Sequence, residues 1–278
     1  MKVKITALIA VALLIALSYL GKEGYLAAKA YEKSSYALSE MMGAENIAEY
    51  KLKELATILT LGIVKNDTGE KLKALYRQTR FDKRRSQRYI LYYTAVAVAL
   101  MTLFFFSGTR AYTFFISMGA LISLVNGVIT PVMMLTIHKK LDFVGDVVLS
   151  FESKAIMGSV IGLFKQGNLV IASTILIFSI LLPFFKTASL LFLSLYETRP
   201  FAARLVGFFK KIGKWSMLDV FVVALLLVYM GSGNSDTSRA ETEIGVYFFI
   251  IYVVLSVMAS LSAEKMLSEL AEGNTSKK

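Results

Sequence analysis

The chain has 278 residues, of which 56% are hydrophobic, and a formal net charge of +11. Its long charge-free runs exclude an ordinary water-soluble domain, and the basic residues beside those runs point to anionic membrane lipids and orientation signals rather than to nucleic acid. The absence of cysteine excludes disulfides and thiolate metal sites, and the single histidine, His138, cannot hold a metal ion alone.

The first predicted element is a short apolar run, Ile5 to Gly21. No small-x-small cleavage site follows it, which predicts an uncleaved signal-anchor helix over residues 1–21. Residues 22–88 carry mixed charge with apolar positions at loosely helical spacing, which predicts a helical hairpin outside the membrane. Two readings of this hairpin stay open: a scaffold for the first two spans, or a docking surface for a partner. Within this hairpin, Asp67 with Glu70 three residues later indicates a turn followed by a helix start.

Five longer apolar runs approach or exceed the roughly 20 residues that a helix needs to cross hydrocarbon. They are Tyr89 to Thr109, Ala111 to Ile137, Leu169 to Leu195, Trp215 to Gly231 and Ile244 to Ala263. We therefore predict an all-α polytopic membrane helix bundle of about six transmembrane helices, with a helical extramembrane insertion between the first two. The predicted domains are residues 1–21, 22–88, an additional transmembrane helix at 89–110, a four-helix module at 111–267 and a polar tail at 268–278.

The charges of the short loops predict the orientation. Residues 196–214 hold five basic side chains against one acidic side chain, and residues 232–243 hold one basic against three acidic. The positive-inside rule places the first loop in the cytoplasm and the second outside. Six spans then predict that both termini lie in the cytoplasm and that residues 22–88 lie outside, in the periplasm. The basic stretch Arg77 to Arg88 opposes this orientation, but the extramembrane segment is long enough to escape the rule.

Two ionisable residues occupy predicted spans at similar depth. Lys186 lies inside the run Leu169 to Leu195, and Asp219 lies at the head of the run Trp215 to Gly231. One reading is structural, with a buried ion pair that fixes helix packing or a lysine that extends to the membrane surface. The other is functional, with a polar cavity in which a lipid headgroup or a proton binds. Both readings remain open at this point.

The neighbours of these two residues suggest a polar network. Pro183 lacks an N–H group and should kink its helix and free the carbonyl group of Ser179, whose hydroxyl can satisfy local backbone or reach the lysine. Ser216 can cap the start of its helix and orient the carboxylate of Asp219. Trp215 is expected to anchor its span at the headgroup level.

Two further features lie between these spans. Asn126 and Thr130 add polarity to their span and are expected to form hydrogen bonds between helices. The segment Val147 to Asn168 mixes apolar residues, glycines and a few charges, and predicts an outward amphipathic or re-entrant element that seals the module or presents a surface to a partner. Its glycines could equally permit close helix contacts.

Four blocks of the sequence resemble, in order, the paraquat-inducible protein A family of bacterial inner-membrane proteins. They are Thr130-Pro131-Val132-Met133, the glycine-bearing segment Ile156 to Asn168, the segment Ala172 to Lys186 with serine, proline and lysine at matching spacing, and Lys214 to Phe221. The resemblance covers Ala111 to Leu267 and implies a four-helix membrane module. Many members carry a cysteine-rich zinc ribbon, which this chain lacks, so zinc dependence is not carried over and no cofactor is expected.

The resemblance also implies a function. Members work with mammalian-cell-entry (MCE) proteins, which form periplasmic lipid tunnels, so we expect a multi-pass subunit of the bacterial inner membrane that passes phospholipid or other lipophilic cargo to or from such a partner. The alternative is a structural or assembly factor that only stabilises an envelope complex. An enzyme is disfavoured because no nucleophile with an adjacent base is evident. The phosphate-binding loop of an ATPase is also missing.

Overall fold

The computed structural model describes residues 2–43, 67–141, 145–195 and 238–275. The helices are α1 (Lys2–Met41), α2 (Asp67–Thr102), α3 (Thr109–Ile129), α4 (Ile156–Lys165), α5 (Leu169–Leu176), α6 (Leu182–Leu195) and α7 (Ile244–Thr275), and the strands are β1 (Pro131–Leu141), β2 (Gly145–Ala155) and β3 (Ser238–Thr242). Within these ranges, five helical segments are long and apolar enough to cross a membrane. The predicted helical membrane bundle is confirmed. The predicted span Trp215–Gly231 lies outside the described residues.

Helices α3 and α7 form the centre of the bundle. The most apolar window of each is 61% buried, against 17% for α1 and for the segment Leu169–Leu195. The two central helices approach closely at Gly127, where an added Cβ atom would lie 3.0 Å from the backbone nitrogen of Phe249. Small residues favour this packing because lipid tails supply no hydrophobic force between helices. The contact predicts that a larger side chain at this position would separate α3 from α7.

Helices α1 and α2 pack against each other and continue beyond the rest of the bundle. Both run without a break through residues 21–22 and 88–89, so the domain limits drawn there stay predictions that depend on where the membrane surface lies. Helix α2 begins at Asp67, where the sequence indicates a helix start. It ends in a short 3₁₀ turn, Leu103–Phe105, and residues 106–108 lead into α3. The additional span therefore lies directly beside the central helices.

A three-stranded antiparallel sheet with the order β2-β1-β3 follows α3. The prediction of a span that continues to Ile137 is wrong, because Ile137 lies in β1. The segment Val147 to Asn168, predicted as one amphipathic or re-entrant element, divides instead into the end of β2, α4 and the turn after α4, and its predicted role stays a prediction. Pro131 ends the helix because it cannot donate a backbone hydrogen bond. A continuous apolar run such as the one that follows cannot distinguish a span from a buried strand. His138 consequently lies in β1, opposite Val148, and not at the end of a span.

The short helix α4 is joined to α5 by a tight turn. Gly167 has a φ angle of 80°, and the N–H group of the next residue, Asn168, bonds to the carbonyl of Leu163 at 3.0 Å. A positive φ angle of this size is unfavourable for residues with a Cβ atom, which explains why residue 167 is a glycine. Nothing in the described part of the chain lies within 4 Å of a Cβ atom added at Gly162 or Gly167, so these two glycines make no close helix contact with the described helices.

The bundle has two distinct ends. At one, the sheet end, the carbonyl of Met42 accepts a hydrogen bond from the N–H group of Val148 in β2 at 3.0 Å. At the other, the far end, Arg110 donates to the carbonyl of Ser194 at 2.8 Å. The extensions of α1 and α2 therefore share a side with β3, as the six-span topology requires of residues 22–88 and 232–243. Leu195 and Ser238, which flank the predicted span Trp215 to Gly231, lie at opposite ends.

Candidate functional site along the interrupted span

The span Leu169–Leu195 is not a regular helix, and we call it the interrupted span. Between α5 and α6 lies a π turn, Ile177–Leu181, and the N–H group of Leu182 bonds to the carbonyl of Ile177, five residues earlier. The predicted distortion before Pro183 thus takes the form of a π turn, and the half-buried Ser179 lies within it. Few helices contain a π turn, and those π turns that do occur are often found at functional sites.

The carbonyl oxygen of Pro183 is the centre of a buried hydrogen-bond cluster. It accepts from the Thr187 hydroxyl at 3.0 Å and from the Tyr252 hydroxyl at 3.3 Å. Both donor residues have no solvent exposure. Because proline disturbs the regular bonding of its helix, these side-chain donors stabilise the interruption and join α6 to α7.

Two fully buried serines add polar groups to the central helices. Ser256 lies one turn after Tyr252 on α7, and Ser117 lies on α3. Neither hydroxyl has a hydrogen-bond partner among the described residues. A buried hydroxyl without a partner costs free energy, on the order of 1–3 kcal/mol. Within the described ranges, the bundle centre therefore has two buried hydroxyls that are not paired with another protein group.

Lys186 lies one turn after Pro183 on α6 and next to Thr187, and it is half-buried. The described residues thus place three of the predicted site residues, Ser179, Pro183 and Lys186, along one interrupted span. The other three, Trp215, Ser216 and Asp219, lie outside the described residues. The pairing of Lys186 with Asp219 therefore stays a prediction.

A second buried polar contact joins the additional span to α3. The Tyr93 hydroxyl lies 2.7 Å from the Ser123 hydroxyl, which itself donates to the carbonyl of Gly119 at 2.9 Å, so Tyr93 is the donor of the shared bond. Asn126 donates to the carbonyl of Ile122 in its own helix at 2.9 Å and also contributes to the polar surroundings of Tyr93. Asn126 therefore forms a hydrogen bond within α3 and also faces α2, the helix that carries Tyr93.

The predicted hydrogen bond of Thr130 between helices has no counterpart among the described residues, because its buried hydroxyl has no partner there. Sequence reasoning also missed Tyr93, Thr187 and Tyr252. Each is a hydroxyl-bearing residue inside an apolar run, which is a detectable signal because such groups need partners within a membrane.

A charged cluster at the sheet end connects the helical extensions to β3. The ammonium group of Lys83 lies 2.6 Å from Oε2 of Glu241, and the hydroxyl of Tyr31 donates to the same oxygen at 3.1 Å. Glu243, just before α7, is only 4% exposed. Burial and then the charge of Glu241 raise the pKa of Glu243 to about 8, although Lys83 opposes the shift. Glu243 therefore holds its proton near neutral pH.

Within the described ranges, no group of three His, Asp or Glu side chains is placed to hold a metal ion. The polar groups of the interrupted span are instead hydroxyls, a backbone carbonyl and one amine. The hydroxyls of Thr187 and Tyr252 already donate to the carbonyl of Pro183. The amine of Lys186 is therefore the group of this set that can supply N–H donors and one positive charge to an anionic headgroup.

Comparison with protein families supports the resemblance seen in the sequence. The family model described as Paraquat-inducible protein A matches residues 120–268, which is more than half of the chain. The matched segment includes the sheet, the interrupted span and most of α7, whereas α1 and α2 precede it. Comparisons with curated proteins and with solved structures each find no match.

Proposed function

Because the chain belongs to the paraquat-inducible protein A family, we propose that this multi-pass membrane protein is an inner-membrane subunit of a lipid-transport system. In this role it passes phospholipid or other lipophilic molecules to or from a periplasmic MCE-type tunnel protein and so supports envelope integrity. The role requires no bond to be made or broken, so we further propose that the protein is not an enzyme.

The observation that carries this proposal is the interrupted span with Lys186 one turn after Pro183. A lipid that moves through a helical bundle needs a polar surface for its headgroup inside an otherwise apolar core. An intramembrane lysine supplies positive charge for a phosphate, and such residues often mark transport pathways. Asp219 on the next predicted span would balance that charge when no lipid is bound.

A structural or assembly role is the alternative, and the sheet end supports it. The Lys83–Glu241 contact joins α2 to β3, and an edge contact between the rings of Tyr36 and Phe151, with centroids 6.1 Å apart, joins α1 to β2. In this alternative, the surface around these contacts binds an envelope partner. In this alternative the lysine of the interrupted span only fixes helix packing.

The test replaces Lys186 by glutamine in a strain that depends on this protein for its envelope barrier. We expect normal protein levels but increased sensitivity to detergents, because glutamine keeps the length of the side chain and removes its charge. Lys165→Gln is the matched control, since Lys165 is an exposed lysine at the end of α4. A normal barrier in both strains would contradict the transport proposal and favour the structural alternative.

A further inference from the structure

One face of α2 carries an exposed pocket of arginine and aromatic side chains. Its lining residues recur at helical spacing: Phe81, Arg85, Arg88, Tyr89 and Tyr92. The pocket has a volume of about 250 Å³. Asp82, Ser86 and Tyr93 are buried on the adjacent face, about 100° further around the helix. Most of the lining residues are exposed, so the pocket borders α1 through Glu23 and is open on its other side.

The pocket lies where α2 changes from basic to apolar. Residues 77–88 hold six basic side chains and one acidic side chain, and from Tyr89 to Thr102 the helix has no charged residue. Phe81 and Tyr92, the first and last lining residues, are eleven positions apart, which corresponds to about 16 Å of helix. This length covers the headgroup layer, about 5–8 Å on each side of the bilayer, and reaches the upper acyl region.

Arg85 is held in place by its neighbours. Its guanidinium group lies 5.8 Å from the centre of the Tyr89 ring, and one of its nitrogens is 3.8 Å from Oε2 of Glu23 on α1. The hydroxyl of Tyr89 donates to the same carboxylate oxygen at 3.4 Å. A guanidinium group fixed in this way loses little conformational freedom when it binds a ligand.

Arg88 provides the charge that these contacts leave available. It is exposed, and within the described part of the chain it forms no ion pair. It follows Arg85 by three positions on the helix, which places the two side chains on neighbouring turns of one face. The pair therefore offers a converging set of N–H donors for a phosphate group.

We propose that this pocket binds an anionic phospholipid, with its phosphate at Arg85 and Arg88 and its upper acyl region against Tyr92. Charge complementarity selects the anionic headgroup, and the exposed ring of Tyr92 provides an apolar surface immediately below it. The site lies in the part of the chain that precedes the family match, so it does not depend on the proposed transport role. It also explains how a strongly basic segment is accommodated at the sheet end.

The test uses the purified full-length protein in nanodiscs of equal phosphatidylglycerol and phosphatidylcholine, and counts the lipids retained after detergent extraction by native mass spectrometry. The variants are Arg88→Gln and Arg88→Lys. Arg80→Gln is the matched control, because Arg80 is an exposed arginine of the same basic segment at about 120° from the pocket on the helix. Thermal unfolding of every variant confirms that folding is intact.

We expect wild type and Arg80→Gln to retain phosphatidylglycerol in preference to phosphatidylcholine. Arg88→Gln should lower this retention about tenfold, since a charged phosphate contact of about 1.4 kcal/mol is lost, and Arg88→Lys should lower it less. Equal losses in Arg80→Gln and Arg88→Gln would show diffuse attraction instead of a site and would overturn the proposal. Equal retention of both lipids by the wild type, or no retained lipid, would overturn it as well.

Discussion

The hydroxyl of Tyr252 in α7 lies 3.3 Å from the carbonyl oxygen of Pro183, directly after the π turn of the interrupted span. Among the described spans, the bond joins one of the two most buried helices to the interrupted one. Since Thr187 donates to the same oxygen, the two hydroxyls hold the interruption in one arrangement. The position of Lys186, one turn further along α6, depends on this arrangement.

Tyr252→Phe should therefore destabilise the protein modestly. The substitution removes one interhelical hydrogen bond, while Thr187 still satisfies the carbonyl of Pro183, so we expect a loss of about 0.6–1.5 kcal/mol. Thermal unfolding of the protein in detergent, followed by the loss of monodisperse protein, measures the effect. Tyr247→Phe is the matched control because Tyr247 is 46% exposed on the same helix. A change of equal size in both variants would show that the bond to Pro183 contributes nothing.

The packing of α3 against α7 can be tested by cross-linking, because the chain contains no cysteine. The hydroxyls of Thr113 and Ser262 lie 2.7 Å apart in the buried interface near the far end. The double variant Thr113→Cys with Ser262→Cys should form a disulfide on oxidation, detected as a mobility shift on non-reducing gels. Thr113→Cys with Ser260→Cys should not, since Ser260 lies two residues before Ser262 and therefore about 200° away from it around the helix. Efficient cross-linking of the control pair alone would contradict this packing.

Glu243 predicts a pH dependence of stability. Its pKa is raised from 4.5 to about 8 by burial and by Glu241, so the folded state binds this proton more tightly than the unfolded state. The stabilisation is complete below about pH 4.5, decreases as the pH rises, and is lost as the pH passes through about 8. Glu243→Gln should remove this decrease and stabilise the protein at pH 9.

Unfolding temperatures between pH 5 and pH 9 check this expectation. Glu152→Gln is the control, because Glu152 is about half exposed on β2 and pairs with Lys154 at 2.7 Å. The control should keep the slope of the wild type. A slope that survives in Glu243→Gln would assign the pH dependence to another group.

The helical bundle could be predicted because apolar length alone identifies membrane helices. The sheet could not, because the residues from Val132 to Ile137 are mostly apolar and fit either a strand or a span, and β1 is completed by β3, about a hundred residues later. The register that pairs Met133 with Thr242 is a tertiary property. Local sequence therefore carried no signal for the pairing.

The site was predictable in part. Pro183 and Lys186 are chemically conspicuous in an apolar run, and the structure places the irregular turn next to them. For Tyr252 and Thr187, the sequence shows only that a hydroxyl inside an apolar run needs a partner, and not which residue provides that partner. Their role depends on the contact between α6 and α7, which helical periodicity does not specify.

The central claim is that Lys186 and Asp219 act together inside the bundle, and a charge swap tests it most directly. Transfer of a fluorescent phospholipid to the MCE-type partner would be measured in proteoliposomes for Lys186→Asp, Asp219→Lys and the double variant. We predict that each single variant loses transfer, because two like charges then meet in the membrane, and that the double variant regains a substantial part of it. Full transfer in the single variants, or a double variant as inactive as they are, would contradict the account.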